Sequence, residues 1–215
     1  MTHPTLTRIA LNPHHKAVRT DLADAVSLHK TLMRLVPDGL GPSPRAAAGL
    51  LFRLEQGCDP VLLIQTSHRP VLTRLPTHYG IAQSRDLAPL LQALTTGLAV
   101  RYRITAAPTA ALSATAVPHP ETGRRRGKIT ALTGDDAIAW WQRRAATAGL
   151  DILTVATADR PFNRKDRSRP GPYDALMQFD GTARVTDPHQ LRTSLHSGIG
   201  RAKPYGAGLL SLAPA

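Results

Sequence analysis

Two groups of residues in this 215-residue chain are equipped to work on a phosphate. One is the run Gly198-Ile-Gly200-Arg201-Ala-Lys203-Pro-Tyr205-Gly206-Ala-Gly208, which leads into the apolar Leu209-Leu210-Ser211-Leu212. Glycine reaches positive φ without steric cost and lets another backbone come close. Arg201 and Lys203 lie between the two glycine pairs, and their charges point to a phosphate as the ligand. The run follows a predicted helix, Pro188 to His196, whereas Walker and dinucleotide loops follow a strand and open a helix, so the phosphates belong to something else. The other group centres on His29, in Leu28-His29-Lys30-Thr31-Leu32. An imidazole titrates near neutral pH and can take or give a proton.

These groups need elements to hold them. Lys16 to Val36 reads as one amphipathic helix, stopped by Pro37, Gly39, Gly41 and Pro42. At 100° per residue, Ala25, Leu28, Leu32 and Leu35 form an apolar face, Leu22, Val26, His29 and Met33 a flanking stripe, and Lys16, Arg19, Lys30 and Arg34 a basic one. His29 thus falls between a packing face and a charged face. That position suits a residue lining a groove, and equally a histidine that is only structural.

Upstream, residues 5 to 12 alternate as a strand ended by Pro13. Gly49 to Glu55 and Pro60 to Ser67 read as a strand pair across Gln56-Gly57-Cys58-Asp59, and Ser84 to Thr95 reads as a helix. A last strand of this half falls at Val71 to Leu75 or at Ala99 to Ile104. The second half repeats the order: Leu98 to Thr105 a strand, Arg126 to Leu132 a short strand or turn, and Asp135 to Ala148 a helix ended by Gly149. Strands at Leu150 to Thr157 and Asp174 to Thr186, the helix at Pro188 and a closing strand at Ala207 to Leu212 complete it. A β-α-β-β-α-β order occurring twice predicts an α+β protein of two tandem ferredoxin-like domains, residues 1–96 and 97–215.

Composition narrows the partners. The formal net charge is +12, and a chain this basic is drawn to polyanions through counterion release. Arginine dominates the surplus, a habit of GC-rich genomes that explains the residue chosen but not the excess over acids. With no apolar run of membrane-spanning length and no signal-peptide pattern at Met-Thr-His-Pro-Thr, the expectation is a soluble cytoplasmic protein. Cys58 is the only cysteine, which rules out an internal disulfide and predicts a small buried hydrophobe. No His, Asp or Glu grouping has metal-ligand spacing, so no metal or other cofactor is expected. On the Asp135 helix, at least one of Trp140 and Trp141 is expected in the core.

The glycine run, its place at the chain end and the closing Gly-Leu-Leu-Ser-Leu-Ala-Pro resemble the C-terminal signature of the repeat-processing RNA endonucleases of CRISPR systems. The chain is most similar to the CasE type, the nuclease subunit of type I-E Cascade. Supporting segments are Leu11-Asn12-Pro13, Leu28 to Leu32 and Leu51-Phe-Arg-Leu-Glu55, so the likeness covers nearly the whole chain. It implies a metal-independent endoribonuclease that binds the stem-loop of a CRISPR repeat in precursor RNA, cuts at the base of the stem and stays on the mature guide RNA beside other Cascade subunits.

The resemblance also places the catalytic histidine at His29. In such a reaction the 2′-OH attacks the adjacent phosphate, leaving a cyclic or 3′-phosphate and a 5′-hydroxyl, and one imidazole can serve a proton-transfer step. Relatives often carry a tyrosine three residues earlier, where this chain has Val26, which exchanges no proton. Lys203, Tyr205 or Lys30 is left to supply the missing group.

RNA contacts are expected from Lys16, Arg19, Lys30, Arg34, Arg126, Lys128, Arg160, Arg164, Lys165, Arg167, Arg169 and Arg201, and from the backbone at Gly198, Gly200, Gly206 and Gly208. The stretch from Arg160 to Tyr173 reads as a mobile hairpin tip; the resemblance makes it a basic hairpin lying along a groove of the stem, where recognition is mostly of shape and phosphates. The alternative is a non-catalytic RNA-binding subunit of the same fold, in which His29 is structural and Val26 marks lost chemistry.

Overall fold

The computed structural model describes residues 4–118, 125–161 and 175–215, with the backbone alone at 112–118, 125, 126, 128 and 161. Its elements are β1 (Thr5–Leu11), α1 (Lys16–Ala23), α2 (Ala25–Met33), α3 (Pro44–Ala47), β2 (Leu51–Glu55), β3 (Val61–Thr66), β4 (Gly80–Asp86) and α4 (Ala88–Ala93). The second half comprises β5 (Ala99–Ala106), β6 (Thr109–Pro118), β7 (Arg125–Ala131), α5 (Gly134–Thr147), β8 (Leu150–Ile152), β9 (Ala156–Pro161), β10 (Ala175–Val185), α6 (Pro188–Ser197) and β11 (Leu210–Pro214).

The first sheet runs β2-β3-β1-β4 and the second β11-β5-β10-β8, with β9 also on β10, and every neighbouring pair in both is antiparallel. In each, the first and third strands are central and the second and fourth are outermost, which is the ferredoxin-like order expected from the repeated pattern. β6 and β7 pair separately as a two-stranded ribbon between β5 and α5.

Period-2 alternation puts Ile9, Leu11, Phe52, Leu62 and Ile64 on one face of the first sheet, where Leu28, Leu32 and Leu35 from the helical segment cover them. The second core gathers Tyr102, Ile104, Phe179 and Leu191 with both Trp140 and Trp141, so neither tryptophan is available for base stacking. Each such large apolar side chain contributes roughly 1.5–3 kcal/mol on burial.

Five local expectations are corrected. The helix over Lys16 to Val36 is two helices, because Asp24 takes extended dihedrals (φ −148°, ψ 112°) and its carboxylate caps α2 by accepting from the N–H groups of Val26 and Ser27. The helix expected from Ser84 starts at Ala88, its N–H bonded to Asp86 Oδ1 at 2.8 Å, and the residues before it form β4 on the free edge of β1. Val71 to Leu75 holds only a 3-10 turn, Leu72–Arg74, between Pro70 and Pro76. The strand expected over Leu150 to Thr157 is divided by a bulge at which the N–H groups of Leu153 and Thr154 both donate to Thr182 O. Cys58 is exposed on the β2–β3 turn instead of buried.

α4 follows the first sheet, yet its Leu91 and the adjoining Leu94 pack in the second core, and Arg192 of α6 donates to both their carbonyls at 2.8 Å. The first sheet also bonds directly to α6 and to the second sheet. Gln65 Nε2 donates to Leu195 O at 2.6 Å, and the buried Arg53 donates through Nη1 to Arg103 O (3.1 Å) and Leu209 O (3.2 Å).

Candidate functional site

His29 lies midway along α2, half-buried, with Leu28 and Leu32 anchoring its helix in the first core. Its Nδ1 is buried and has no hydrogen-bond partner among the described residues. Burial, and secondarily the charge of Arg45 on α3, hold the imidazole below the usual histidine pKa. The fold therefore favours the neutral ring, a state able to accept a proton at neutral pH. In the RNA-free protein the His29 ring is expected to titrate below its reference midpoint of 6.5, and a histidine NMR titration checks this.

The glycine run folds as a closed loop between α6 and β11. Ile199 N donates to Gly208 O at 3.0 Å and Gly208 N to Thr105 O at 2.8 Å. A 3-10 turn, Lys203–Tyr205, forms its tip and packs against α2 and β2. The turn thus stands beside the helix that carries His29.

Gly198, Gly200, Gly206 and Gly208 all have positive φ. At Gly198 a Cβ would stand 2.6 Å from Leu51 Cδ2, and at Gly206 it would stand 3.1 Å from Phe52 Cε2. The glycines thus let the loop close on β2 of the other sheet, an approach the sequence suggested for a ligand backbone and the fold makes to its own chain.

Lys203 is half-buried, and burial first, then Arg45, lowers its pKa. Tyr205 is half-buried too and, with Asp21, Leu28, Phe52 and Arg160, lines a cleft between the sheets. Arg201 is exposed on the loop. Lys16 and Arg19 on α1 and Lys30 on α2 are exposed, as is Arg34, whose Nη2 donates to Thr31 Oγ1 at 3.0 Å. The first helical pair therefore presents a basic surface adjoining His29.

Arg160 ends at Gln178, its Nε donating to Oε1 at 2.8 Å. β9 and β10 pair up to Pro161 and Ala175, so the segment bearing Arg164, Lys165, Arg167 and Arg169 connects two paired strands and lies outside the described residues. Arg126 and Lys128 are on β7, where only the backbone is described. Val26, where the resemblance led to the expectation of a tyrosine, is half-buried. Tyr79 does not replace it: the ring is buried, its hydroxyl donates to Asp21 Oδ2 at 2.8 Å, and burial and then that bond raise its pKa. Asp21 also accepts from Ser27 Oγ at 2.6 Å, which ties α1 to the first turn of α2 and fixes the angle at which His29 is presented.

Sequence reasoning missed Arg45, whose charge reaches both His29 and Lys203. It also missed Arg53, Gln65, Asp21 and Tyr79, which position the elements of the site. Among the described residues, no three His, Cys, Asp or Glu side chains converge as metal ligands would.

A half-buried histidine and a lysine on an adjacent turn, both of lowered pKa, beside a basic helical surface, make this a candidate site for phosphodiester chemistry. Known proteins of this build agree. A family model described as "CRISPR associated protein" matches residues 6–214. The chain is 33% identical to the CRISPR-associated endoribonuclease Cse3 of Thermus thermophilus over 97% of this chain and 99% of that one. It is 27% identical to the CRISPR system Cascade subunit CasE of Escherichia coli K12, over 89% and 92% of the two chains. Its fold matches a structure of Thermus thermophilus Cse3 bound to an RNA representing a pre-cleavage complex with a TM-score of 0.81 at 31% identity, over 99% of this chain and 100% of that one. With a full-length family match and a relative of this identity, the chain belongs to the CRISPR-associated protein family that includes Cse3.

Proposed function

We propose that this protein is a metal-independent endoribonuclease that binds the stem-loop of a CRISPR repeat in precursor RNA, cuts at the base of the stem and remains on the mature guide RNA as a Cascade subunit. The observation that carries the reading is His29, half-buried with an unpaired ring nitrogen, on a helix against which the Lys203–Tyr205 turn packs. The Cse3 relative is named an endoribonuclease and has been captured with RNA before cleavage, which supports the same reading.

In this mechanism the neutral His29 ring takes the proton of the ribose 2′-OH. The freed oxygen attacks the adjacent phosphorus, the bond to the 5′ oxygen breaks, and a 2′,3′-cyclic phosphate forms. Lys203, whose lowered pKa makes it a readier acid, protonates the departing 5′ oxygen, while Tyr205 in the cleft orients the scissile ribose. Lys16, Arg19, Lys30, Arg34, Arg160 and Arg201 hold phosphates of the stem beside the site, and Arg126, Lys128, Arg164, Lys165, Arg167 and Arg169 extend that grip. The chain acts as two domains, residues 1–96 and 97–215, with α4 as an arm of the first that clasps the second. No described helix is long and apolar enough to cross a membrane. On this reading the enzyme works in the cytoplasm, where the precursor is transcribed.

The test is cleavage of the cognate repeat RNA in EDTA. A single cut leaving a cyclic phosphate, blocked by a 2′-deoxy substitution at the cleaved nucleotide, is the expected outcome; cutting of the 2′-deoxy RNA would overturn the mechanism. Val26 favours a second reading, RNA binding without cleavage, and an intact hairpin bound by the wild-type protein would establish that one instead.

Hairpin affinity is expected to fall steeply with salt. Neutralising Arg164, Lys165, Arg167 and Arg169 together flattens the slope of log K against log salt by about 0.7–0.9 for each phosphate that the variant no longer neutralises. A binding series across salt concentrations measures this, and a slope identical to wild type removes the segment from the interface.

A further inference from the structure

We propose that Arg45 is a further catalytic residue of this site, its guanidinium binding the non-bridging oxygens of the phosphate that His29 and Lys203 act on. The inference rests on the endoribonuclease reading and deepens it.

Arg45 sits on the four-residue helix α3, half-buried. Leu50 secures it twice: Leu50 N donates to Arg45 O at 3.0 Å, and Arg45 Nη1 donates to Leu50 O at 3.1 Å. Leu50 immediately precedes β2, and the next two residues, Leu51 and Phe52, are those on which Gly198 and Gly206 close. One end of β2 therefore holds both the arginine and the glycine loop that carries Lys203. Among the described residues no carboxylate lies within the 4.0 Å ion-pair distance of Arg45.

The charges around His29 explain what this arrangement is for. Lys203 and Tyr205 belong to the 203–205 turn that packs on α2, Lys30 and Arg34 lie on α2 itself, and the charge of Arg45 on α3 reaches His29. Asp21 of α1 already accepts from the hydroxyls of Tyr79 and Ser27, and Asp24 from the first N–H groups of α2. Arg45 disfavours the protonated forms of both His29 and Lys203. Cationic groups gathered by the fold, with no carboxylate of the described residues in ion-pair distance of Arg45, are satisfied by a ligand anion. A guanidinium offers five donors in a planar fork, and one is spent on Leu50. The remaining donors fit two oxygens of a phosphate whose charge grows as the 2′ oxygen attacks.

The experiment is single-turnover cleavage of the repeat RNA by Arg45→Met and Arg45→Lys, with hairpin affinity and the His29 NMR titration measured on the same proteins. Arg45→Met is expected to slow cleavage about 10²-fold while affinity changes by less than about threefold, and Arg45→Lys to stay within about tenfold of wild type. Removing the charge also raises the His29 midpoint, because Arg45 disfavours the protonated ring. Cleavage by Arg45→Met within about twofold of wild type, or a rate loss with the His29 midpoint unmoved, overturns the proposal. If Arg45→Met does not fold, Arg45→Lys decides alone. Sulfur in place of a non-bridging oxygen at the cut slows the wild-type enzyme, that penalty shrinks in Arg45→Lys, and an equal penalty in both overturns the proposed phosphate interaction. Failure of the wild-type protein to cut is a separate outcome, which removes the endoribonuclease reading itself.

Discussion

His29→Ala is expected to slow cleavage of the repeat hairpin by about two to four powers of ten, the usual cost of losing one acid-base group, with hairpin affinity nearly unchanged. The separation of the two effects follows from where the ring sits. The exposed charges on Lys16, Arg19, Lys30 and Arg34 surround it and carry the attraction to phosphate, whereas the ring itself is held neutral by burial and by Arg45. Truncation breaks no hydrogen bond of Nδ1 to the described residues, and Leu28 and Leu32 still anchor α2 in the first core. Thermal unfolding should thus be close to that of wild type. Single-turnover rates and filter-binding affinities measured together check the result; undiminished cutting by His29→Ala would transfer the base to another group.

Arg53→Met is expected to give the largest loss of stability, on the order of 3 kcal/mol, because it strips a buried cation from its partners. The guanidinium is only 4% exposed, yet it joins the two halves of the chain: Nε donates to Glu55 at 2.8 Å while Nη1 bonds the carbonyls of Arg103 and Leu209. Methionine fills much of the volume but takes the guanidinium donors away from both carbonyls in the interface. Glu55 keeps a second partner in Arg103 at 3.4 Å, and Arg103 is held by Asp180 at 2.6 Å, so the polar chain survives at its outer end. The loss should appear as a lower urea midpoint and as slower cleavage, since Leu209 directly follows the glycine loop that places Lys203. Unchanged unfolding by Arg53→Met would mean that the carbonyls find water and that the apolar contacts alone hold the halves together.

Much of this molecule is determined by short-range pattern. Alternation at Thr5 to Leu11 and Val61 to Thr66, the apolar stripe of Leu28, Leu32 and Leu35, and the stops at Pro13 and Gly149 are legible because each depends on neighbours within a turn or a strand. The glycine run is legible for the same reason, since spacing and residue type are local properties. So is the excess of basic residues, which selects a polyanionic partner before any fold is considered.

What the tertiary structure decided concerns residues whose behaviour depends on distant partners. Asp24 breaks the helical pattern because capping α2 suits a carboxylate better than continuing α1, and the angle is then locked by Asp21 reaching Tyr79, 58 residues away. β4 has little hydrophobic signal, with Ile81 74% exposed, and becomes a strand because the edge of β1 offers it hydrogen bonds. The bulge dividing β8 from β9 arises from a shared bond to Thr182 that no spacing in that segment announces. The glycines between 198 and 208 are required by Leu51, Phe52 and their own loop as much as by any ligand. The charge of Arg45 reaches His29 and Lys203 only in the folded chain, because electrostatic interaction depends on distance in space and the sequence holds Lys203 158 residues away from it.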